Sequence, residues 1–269
     1  MSVVAKAVEL LGHFSREAPE IGLSELCRLA GRDKATTYRH LSALEGLGFV
    51  EQNPATKSYR IGPAVLPLAE LREATVPRRD GADAPLRALA ETTQETAHVA
   101  VLSGQALHRL IACESVAHST RAVVDLQQLP LHATASGLAA LAFGQADLMA
   151  AATAQLTAFT AHTVTTAEAL KARVAQARQT GFAVSPRGYE DGIHSLAVPA
   201  FDQSGQLAGT VAVACVASRM TPELERRIQR GLVQASREIT HNWGGTVPDP
   251  LEALWRLALP LCTQKELAR

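Results

Sequence analysis

Only four cysteines occur in 269 residues, Cys27, Cys113, Cys215 and Cys262, with no C-x-x-C pair and no Cys/His spacing suited to a metal. That scatter sets aside a disulfide scaffold and a metal centre, and no cofactor is expected. Long apolar runs are missing as well. Each alanine- and valine-rich stretch is broken by Arg, Asp, Glu or Gln before reaching the roughly 18 uninterrupted apolar residues that a membrane span requires. The start, Met1-Ser2-Val3-Val4-Ala5-Lys6-Ala7-Val8-Glu9, lacks the basic opening, long apolar run and small-residue cleavage site of a secretory leader. A cytoplasmic protein with no membrane partner is therefore expected. Net charge is absent too, since 26 Lys and Arg balance 26 Asp and Glu. A basic coat for nucleic acid is excluded, so any DNA contact has to be local.

What is present is ample core material, 47 % apolar against 19 % charged residues, in a chain long enough for two domains. Val3, Ala7, Leu10 and Phe14 alternate at four- and three-residue spacing, which predicts a helix with a seam-like apolar stripe, part of it suited to a partner helix. Two more helices are expected over residues 23–48. A hairpin follows, with 49–52 and 58–61 flanking Asn53-Pro54-Ala55-Thr56-Lys57. Residues 64–75 have helical composition, and the polar, breaker-containing stretch 76–81 reads as a domain boundary. Helices are then expected near 85–95, 133–143, 166–180 and 222–243. Strands are expected over 97–102, 106–113, 183–184, 195–201 and 207–216. Helices around hairpin-connected strands predict an α+β domain with an antiparallel sheet. Pro248 and Pro250 end it, leaving a tail in which Leu251, Leu254, Trp255 and Ala258 fall at helical spacing.

Residues 23–48 carry a more specific pattern. Ser24 is placed to cap a helix ending at Gly31, and a second helix starts near Asp33–Ala35. Two helices joined by a short glycine turn make a helix-turn-helix. Spacing of about three puts Tyr38, Leu41, Leu44 and Leu47 toward the core, leaving Lys34, Thr36, Thr37, Arg39 and His40 outward at the leading end. Those side chains suit a recognition helix entering a major groove, and Lys57 and Arg60 on the hairpin suit phosphate contacts from a wing. Solvated charge on a small helical bundle is the bland alternative, and the order of cap, turn, polar-fronted helix and basic hairpin argues against it.

The run Leu23-Ser24-Glu25-Leu26-Cys27-Arg28-Leu29-Ala30-Gly31-Arg32-Asp33-Lys34-Ala35-Thr36-Thr37-Tyr38-Arg39-His40-Leu41, continuing through Leu44-Glu45-Gly46-Leu47-Gly48-Phe49-Val50, resembles the winged helix of IclR-family transcriptional regulators. Leu129-Pro130-Leu131-His132-Ala133-Thr134-Ala135-Ser136-Gly137 resembles that family's effector-domain signature. Gly181-Phe182-Ala183-Val184 with Asp191-Gly192-Ile193-His194-Ser195-Leu196-Ala197-Val198-Pro199 resembles its second. The match runs from about residue 3 to 243. It implies a winged helix-turn-helix domain over 1–62, a linker helix over 63–80 and a GAF-like or profilin-like effector domain over 81–245, and leaves the tail over 246–269 outside the match. It also implies a small organic-acid effector, operator DNA and a homodimer or tetramer as partners. The implied pocket contains Ala135, Ser136, Ser185, Ile193, Ser195, Ala212 and Ala214.

This chain departs from the family at Leu138, where lysine is usual, at Ser185, where an acid is frequent, and at Ser195, where cysteine is common. Each change makes the pocket less polar or differently polar, pointing to an aromatic or semi-apolar carboxylate. The start of a helix near Ala133 offers unpaired amides to such a group, and Ser136 and Ser195 offer hydroxyls. A ligand carboxylate is a candidate partner for His98, His132 and His194, but one buried hydrogen bond is the favoured account of His98 and His132. His194 and Ser195 are neighbours on a strand and point to opposite faces, which argues against a nucleophile with its base and leaves no catalytic assignment. Cys215 lies in an apolar strand and reads as an inert thiol. A hydrolase-like enzyme and a helix-turn-helix used only for protein contact remain the competing functions.

Overall fold

Ser2 accepts a hydrogen bond from the Ala5 amide (3.1 Å) and so begins α1, Val3–Leu11. The computed structural model describes residues 2–15 and 18–259. Leu10 is fully buried and Phe14, beyond the helix end, joins it in the core, but Val3 is exposed together with Val4 and Val8. The seam is thus divided between core and surface. α2, Leu23–Ala30, starts from Gly22 with no side-chain cap; Ser24 sits inside the helix, two residues too late to serve. Gly31 ends α2 at φ 61°, a left-handed turn that suits glycine. The Asp33 carboxylate then accepts from the Thr36 amide (2.9 Å) and starts α3, Lys34–Gly46.

The wing is β1, Val50–Gln52, paired antiparallel with β2, Tyr59–Ile61. Asn53 shapes its turn by accepting from the Ala55 amide (3.0 Å). Leu10, Leu26, Leu41, Leu44, Val50 and Tyr59 form the core of this unit. α4, Val65–Thr75, holds Pro67 in its first turn, where a missing donor costs nothing, and buries no side chain. The chain divides into compact units Met1–Pro77 and Arg78–Arg269.

α5, Arg78–Thr93, opens the second unit, so residues 78–81 are helix and not the breaker expected from Gly81 and the charges around it. Pro85 inside α5 cannot donate to the Gly81 carbonyl; Asn242 Nδ2 donates to it instead (2.8 Å), and Trp243 Nε1 donates to the Arg78 carbonyl (3.0 Å). There follow β3 (Thr96–Ser103), β4 (Ala106–Cys113), β5 (Gln128–Leu129), α6 (Ala135–Phe143), α7 (Asp147–Thr153) and α8 (Ala167–Thr180). After these come β6 (Ala183–Pro186), β7 (Ile193–Phe201), β8 (Leu207–Val216), α9 (Pro222–Asn242) and α10 (Asp249–Ala258). The strands form one antiparallel sheet in the order β5-β4-β3-β8-β7-β6. This is the α+β architecture expected from the sequence.

Alternation along the strands gives the sheet two apolar faces. Ala97, Val99, Leu196, Val198, Val211 and Val213 face one core with α5 and α9. Ala100, Ala197 and Ala212 face the other, under α6 and α8. The small residues on that second face let α6 lie close to the sheet. The tail is not an appendage, because α10 places Leu251 and Trp255 in the first core, with Trp255 1 % exposed and its Nε1 donating to the Gly181 carbonyl (3.0 Å). Cys262 lies outside the described residues; Cys27, Cys113 and Cys215 are free thiols. No described helix is long and apolar enough to cross a membrane.

Candidate functional sites

The first candidate is the front of α3. Lys34, Ala35, Tyr38 and Arg39 are exposed there and Thr36 is half-buried. Two expected surface residues are not available: Thr37 is 0 % exposed, its hydroxyl donating to the Asp33 carbonyl (3.0 Å), and His40 is 4 % exposed. Burial, together with Arg39, Arg32 and Lys6, holds the His40 imidazole below its usual pKa. Conversely Tyr38 (54 % exposed) and Leu47 (68 % exposed) do not face the core. Helix geometry explains both errors. Four residues spaced by three drift by about 60° per step, so the first and last lie about 180° apart. Thr37, Leu41 and Leu44, spaced by four and three, make the buried stripe.

Arg32 fixes this motif to α1 by donating to the Lys6 carbonyl (2.7 Å) and pairing with Glu9. On the wing, Lys57 is exposed at the turn at φ 59°. Arg60 donates to Glu51 (2.6 Å) and lies 3.4 Å from Glu20, so its charge is compensated within the wing. Lys34, Arg39 and Lys57 make no ion pair among the described residues, which leaves them as the cations free to meet phosphate.

The second candidate is a cleft at one end of the sheet, with an empty volume of about 540 Å³ including its mouth. Thr134 builds its inner end by accepting from the Gly137 amide (3.0 Å), which starts α6 and leaves the Ala135 and Ser136 amides without intrahelical acceptors. Gly137 is required: a Cβ there would stand 2.4 Å from Leu131 Cα, so only glycine lets the preceding turn pass beneath the helix. Ala135, Ser136, Ser185, Ile193, Ser195 and Ala214 all line the cleft. Ala212 does not; it faces the same side of β8 but is packed under α6 in the core.

His98 lines the same cleft from β3 and is 5 % exposed. Its Nε2 lies 3.0 Å from Ser136 Oγ, while Nδ1 has no hydrogen-bond partner. Burial pushes its pKa down to about 4, so it is neutral at pH 7. Ser185 donates to the Ala133 carbonyl (2.7 Å), and Ser195 Oγ stands 3.5 Å from the Ser185 carbonyl, holding its hydroxyl only weakly. His132 bonds the Thr157 carbonyl (2.9 Å) and stacks on Phe159 with ring centroids 5.8 Å apart, a structural role. His194 does not line the cleft, whereas Ser195 does, as alternation along β7 requires. Burial pushes the Cys215 thiol up to about 12, which makes it unreactive at neutral pH. Among the described residues no group of His, Cys, Asp and Glu is arranged to hold a metal.

Residues 3–54 match the IclR helix-turn-helix domain, and residues 76–241 match the C-terminal domain of the bacterial transcriptional regulator IclR. The chain belongs to the IclR family of transcriptional regulators. Among curated IclR-family relatives it is 27 % identical to the HTH-type transcriptional regulator XynR of Escherichia coli K12, over 90 % of this chain and 96 % of that one. A crystal structure of an ICLR transcriptional regulator from Silicibacter sp. TM1040 is 43 % identical, with TM-score 0.84, 93 % of this chain and 99 % of that one covered. An IclR homolog from Microbacterium hydrocarbonoxydans complexed with 4-hydroxybenzoate shares the fold at 21 % identity and TM-score 0.68, covering 89 % of this chain and 100 % of that one. The homologues are named transcriptional regulators, not enzymes.

Within this IclR-family frame, sequence reasoning missed Tyr38 on the α3 front and Asp125, Tyr189 and Glu190 around the cleft. It also favoured a structural role for His98 over contact with a ligand. A polar ring in the apolar run Ala97-His98-Val99-Ala100 was the available signal for His98. Asp125, Tyr189 and Glu190 sit on irregular segments, where no periodicity marks which side chains converge.

Proposed function

We propose that this IclR-family regulator binds a pseudo-palindromic operator through the front of α3 and responds to a small organic acid held in the effector-domain cleft. The observation that carries the ligand reading is the start of α6. Two free amides and the positive end of the helix favour a carboxylate, and the Ser136 and Ser195 hydroxyls stand in the same cleft. Val124, Leu126 and Ile193 add apolar wall, which suits an aromatic or semi-apolar body. The IclR homolog bound to 4-hydroxybenzoate supports an aromatic acid as the first compound to try.

Lys34, Thr36 and Arg39 are the proposed base and phosphate contacts, with Tyr38 beside them and Lys57 as the wing's phosphate contact. Thr37 and His40 hold α3 in place from the core side, and Arg60 stiffens the wing through Glu51. Few local cations suffice when two half-sites are bound together, because the second contact is intramolecular. Self-association is supported by the exposed apolar side chains Val3, Val4 and Val8 on α1 and Leu66, Leu68 and Leu71 on α4. Titration of the gene's own upstream DNA against unrelated DNA at fixed salt tests the function. Specific retardation that an acid ligand shifts is the expected result, and equal affinity for both DNAs would reduce α3 to a protein-contact surface.

A further inference from the structure

The cleft changes character from floor to mouth. On the floor, His98, Ala135, Ser136, Ser185 and Ala214 are each at most 5 % exposed, and the one titratable group among them, His98, is neutral at pH 7. At the mouth stand two exposed carboxylates, Asp125 and Glu190, and no Lys or Arg is among the lining residues. Neither carboxylate bonds a described side chain. Elsewhere in this unit Glu95 pairs with Arg219, Glu252 with Arg237, and Glu114 with Arg121. Partial desolvation on its cleft side raises the Glu190 pKa first and the charge of Asp125 raises it further, so the two carboxylates interact. The floor bears an independent mark of an occupant. His98 Nδ1 is buried without a partner, a cost that a ligand atom removes.

We infer that the effector is a small acid carrying a hydrogen-bond donor, hydroxyl or ammonium, at the end remote from its carboxylate, and that Glu190 and Asp125 select for that donor. The inference rests on the cleft being an acid-binding site. With the carboxylate at the α6 amides, the far end of the molecule points to the mouth, where it meets two acceptors and no lining cation, since the Arg109 guanidinium is held on the Val124 carbonyl. A donor there gains a charge-assisted hydrogen bond. A second carboxylate there meets two like charges, and an unsubstituted end leaves the mouth to water. The polarity of the mouth therefore discriminates among acids that the floor alone would accept equally.

Calorimetry on the full chain at pH 7 with two matched series tests this. The first is butanoate, 4-hydroxybutanoate, 4-aminobutanoate and succinate; the second is benzoate, 4-hydroxybenzoate, 4-(aminomethyl)benzoate and terephthalate. In the series that binds, the hydroxyl or the amino member should bind about tenfold tighter than its unsubstituted parent, and the diacid should bind weakest. Which donor wins tells hydroxyl from ammonium. The double variant Glu190→Gln with Asp125→Asn, checked for unchanged melting, should cut the donor's advantage to below threefold and strengthen diacid binding. Parent acids bound as tightly as their donor-bearing partners, or diacids bound tightest, would overturn the inference while leaving the acid site standing. No binding by any of the eight acids would overturn the acid site and the inference with it. If the double variant fails to fold, the wild-type series decides.

Discussion

Replacing Trp255 by alanine tests whether the last helix belongs to the effector unit. Trp255 is 1 % exposed, packs near Phe182 with ring centroids 6.4 Å apart, and donates from Nε1 to the Gly181 carbonyl at 3.0 Å. Deleting a buried indole costs about 3–5 kcal/mol through lost burial and the cavity left behind. The abandoned Gly181 carbonyl contributes to that cost. A unit of this size loses roughly 2–4 °C of melting temperature per kcal/mol, so Trp255→Ala should melt about 10 °C below wild type. Trp255→Phe keeps most of the packing and loses the hydrogen bond, and should fall by only a few degrees. Differential scanning calorimetry of the full chain resolves these shifts. Because Gly181 leads into β6, which carries Ser185 to the cleft, acid affinity should fall along with stability. A Trp255→Ala protein melting within 2 °C of wild type would refute the docking of α10 as a component of the core.

Arg39→Ala should weaken upstream-DNA binding by on the order of 1–3 kcal/mol per half-site in a gel-shift titration, while Arg173→Ala, in the other unit, leaves it unchanged; equal losses would remove the assignment. Leu10 is fully buried, so Leu10→Glu should unfold the winged domain by circular dichroism, whereas Val4→Glu and Val8→Glu, on the exposed side of α1, should stay folded and lower the sedimentation coefficient. The unfolded chain protonates His98 near pH 6.5, but the folded chain refuses that proton until about pH 4. Stability linked to His98 is therefore lost as pH falls from about 6.5 toward 4, by about 2 kcal/mol at pH 5, and urea unfolding of His98→Gln should lack that loss.

The fold was largely legible because its signals are local. Gly31 and the short apolar runs of β3, β7 and β8, bounded by turn residues, each mark one element, and the structure has those elements there. The failures have physical causes of their own. Gly22 sits at the cap position expected of Ser24, since nothing in the spacing sets the helix start to within two residues. Residues 78–81 look like a break because Gly81 and Pro85 disfavour helix. Asn242 and Trp243, more than 150 positions away, supply the donors that make the helix tolerable. β5 is two residues long and α7 has no side-chain cap, so neither leaves a periodic trace. At the cleft, signature residues such as Ser136 and Ser195 lie on regular elements and are readable. Asp125 and Glu190 are brought together only by loops whose course depends on the whole domain.

The most direct test of regulation through the cleft is the anisotropy of labelled upstream DNA titrated with wild type and with Ser195→Leu, each with and without saturating 4-hydroxybenzoate or the tightest-binding acid of the calorimetric series. Ser195 lines the cleft, so a leucine there should exclude the ligand and leave the winged domain untouched. Removing a ligand's binding removes its coupling to a second site, and such couplings are worth about 5–150-fold in affinity. The expected result is an acid-dependent change of at least fivefold for wild type, none for Ser195→Leu, and acid-free affinities within a few-fold of each other. An acid response of full size in a folded Ser195→Leu protein, or DNA affinity in wild type that no bound acid alters, would contradict the assignment of this cleft as the regulatory site.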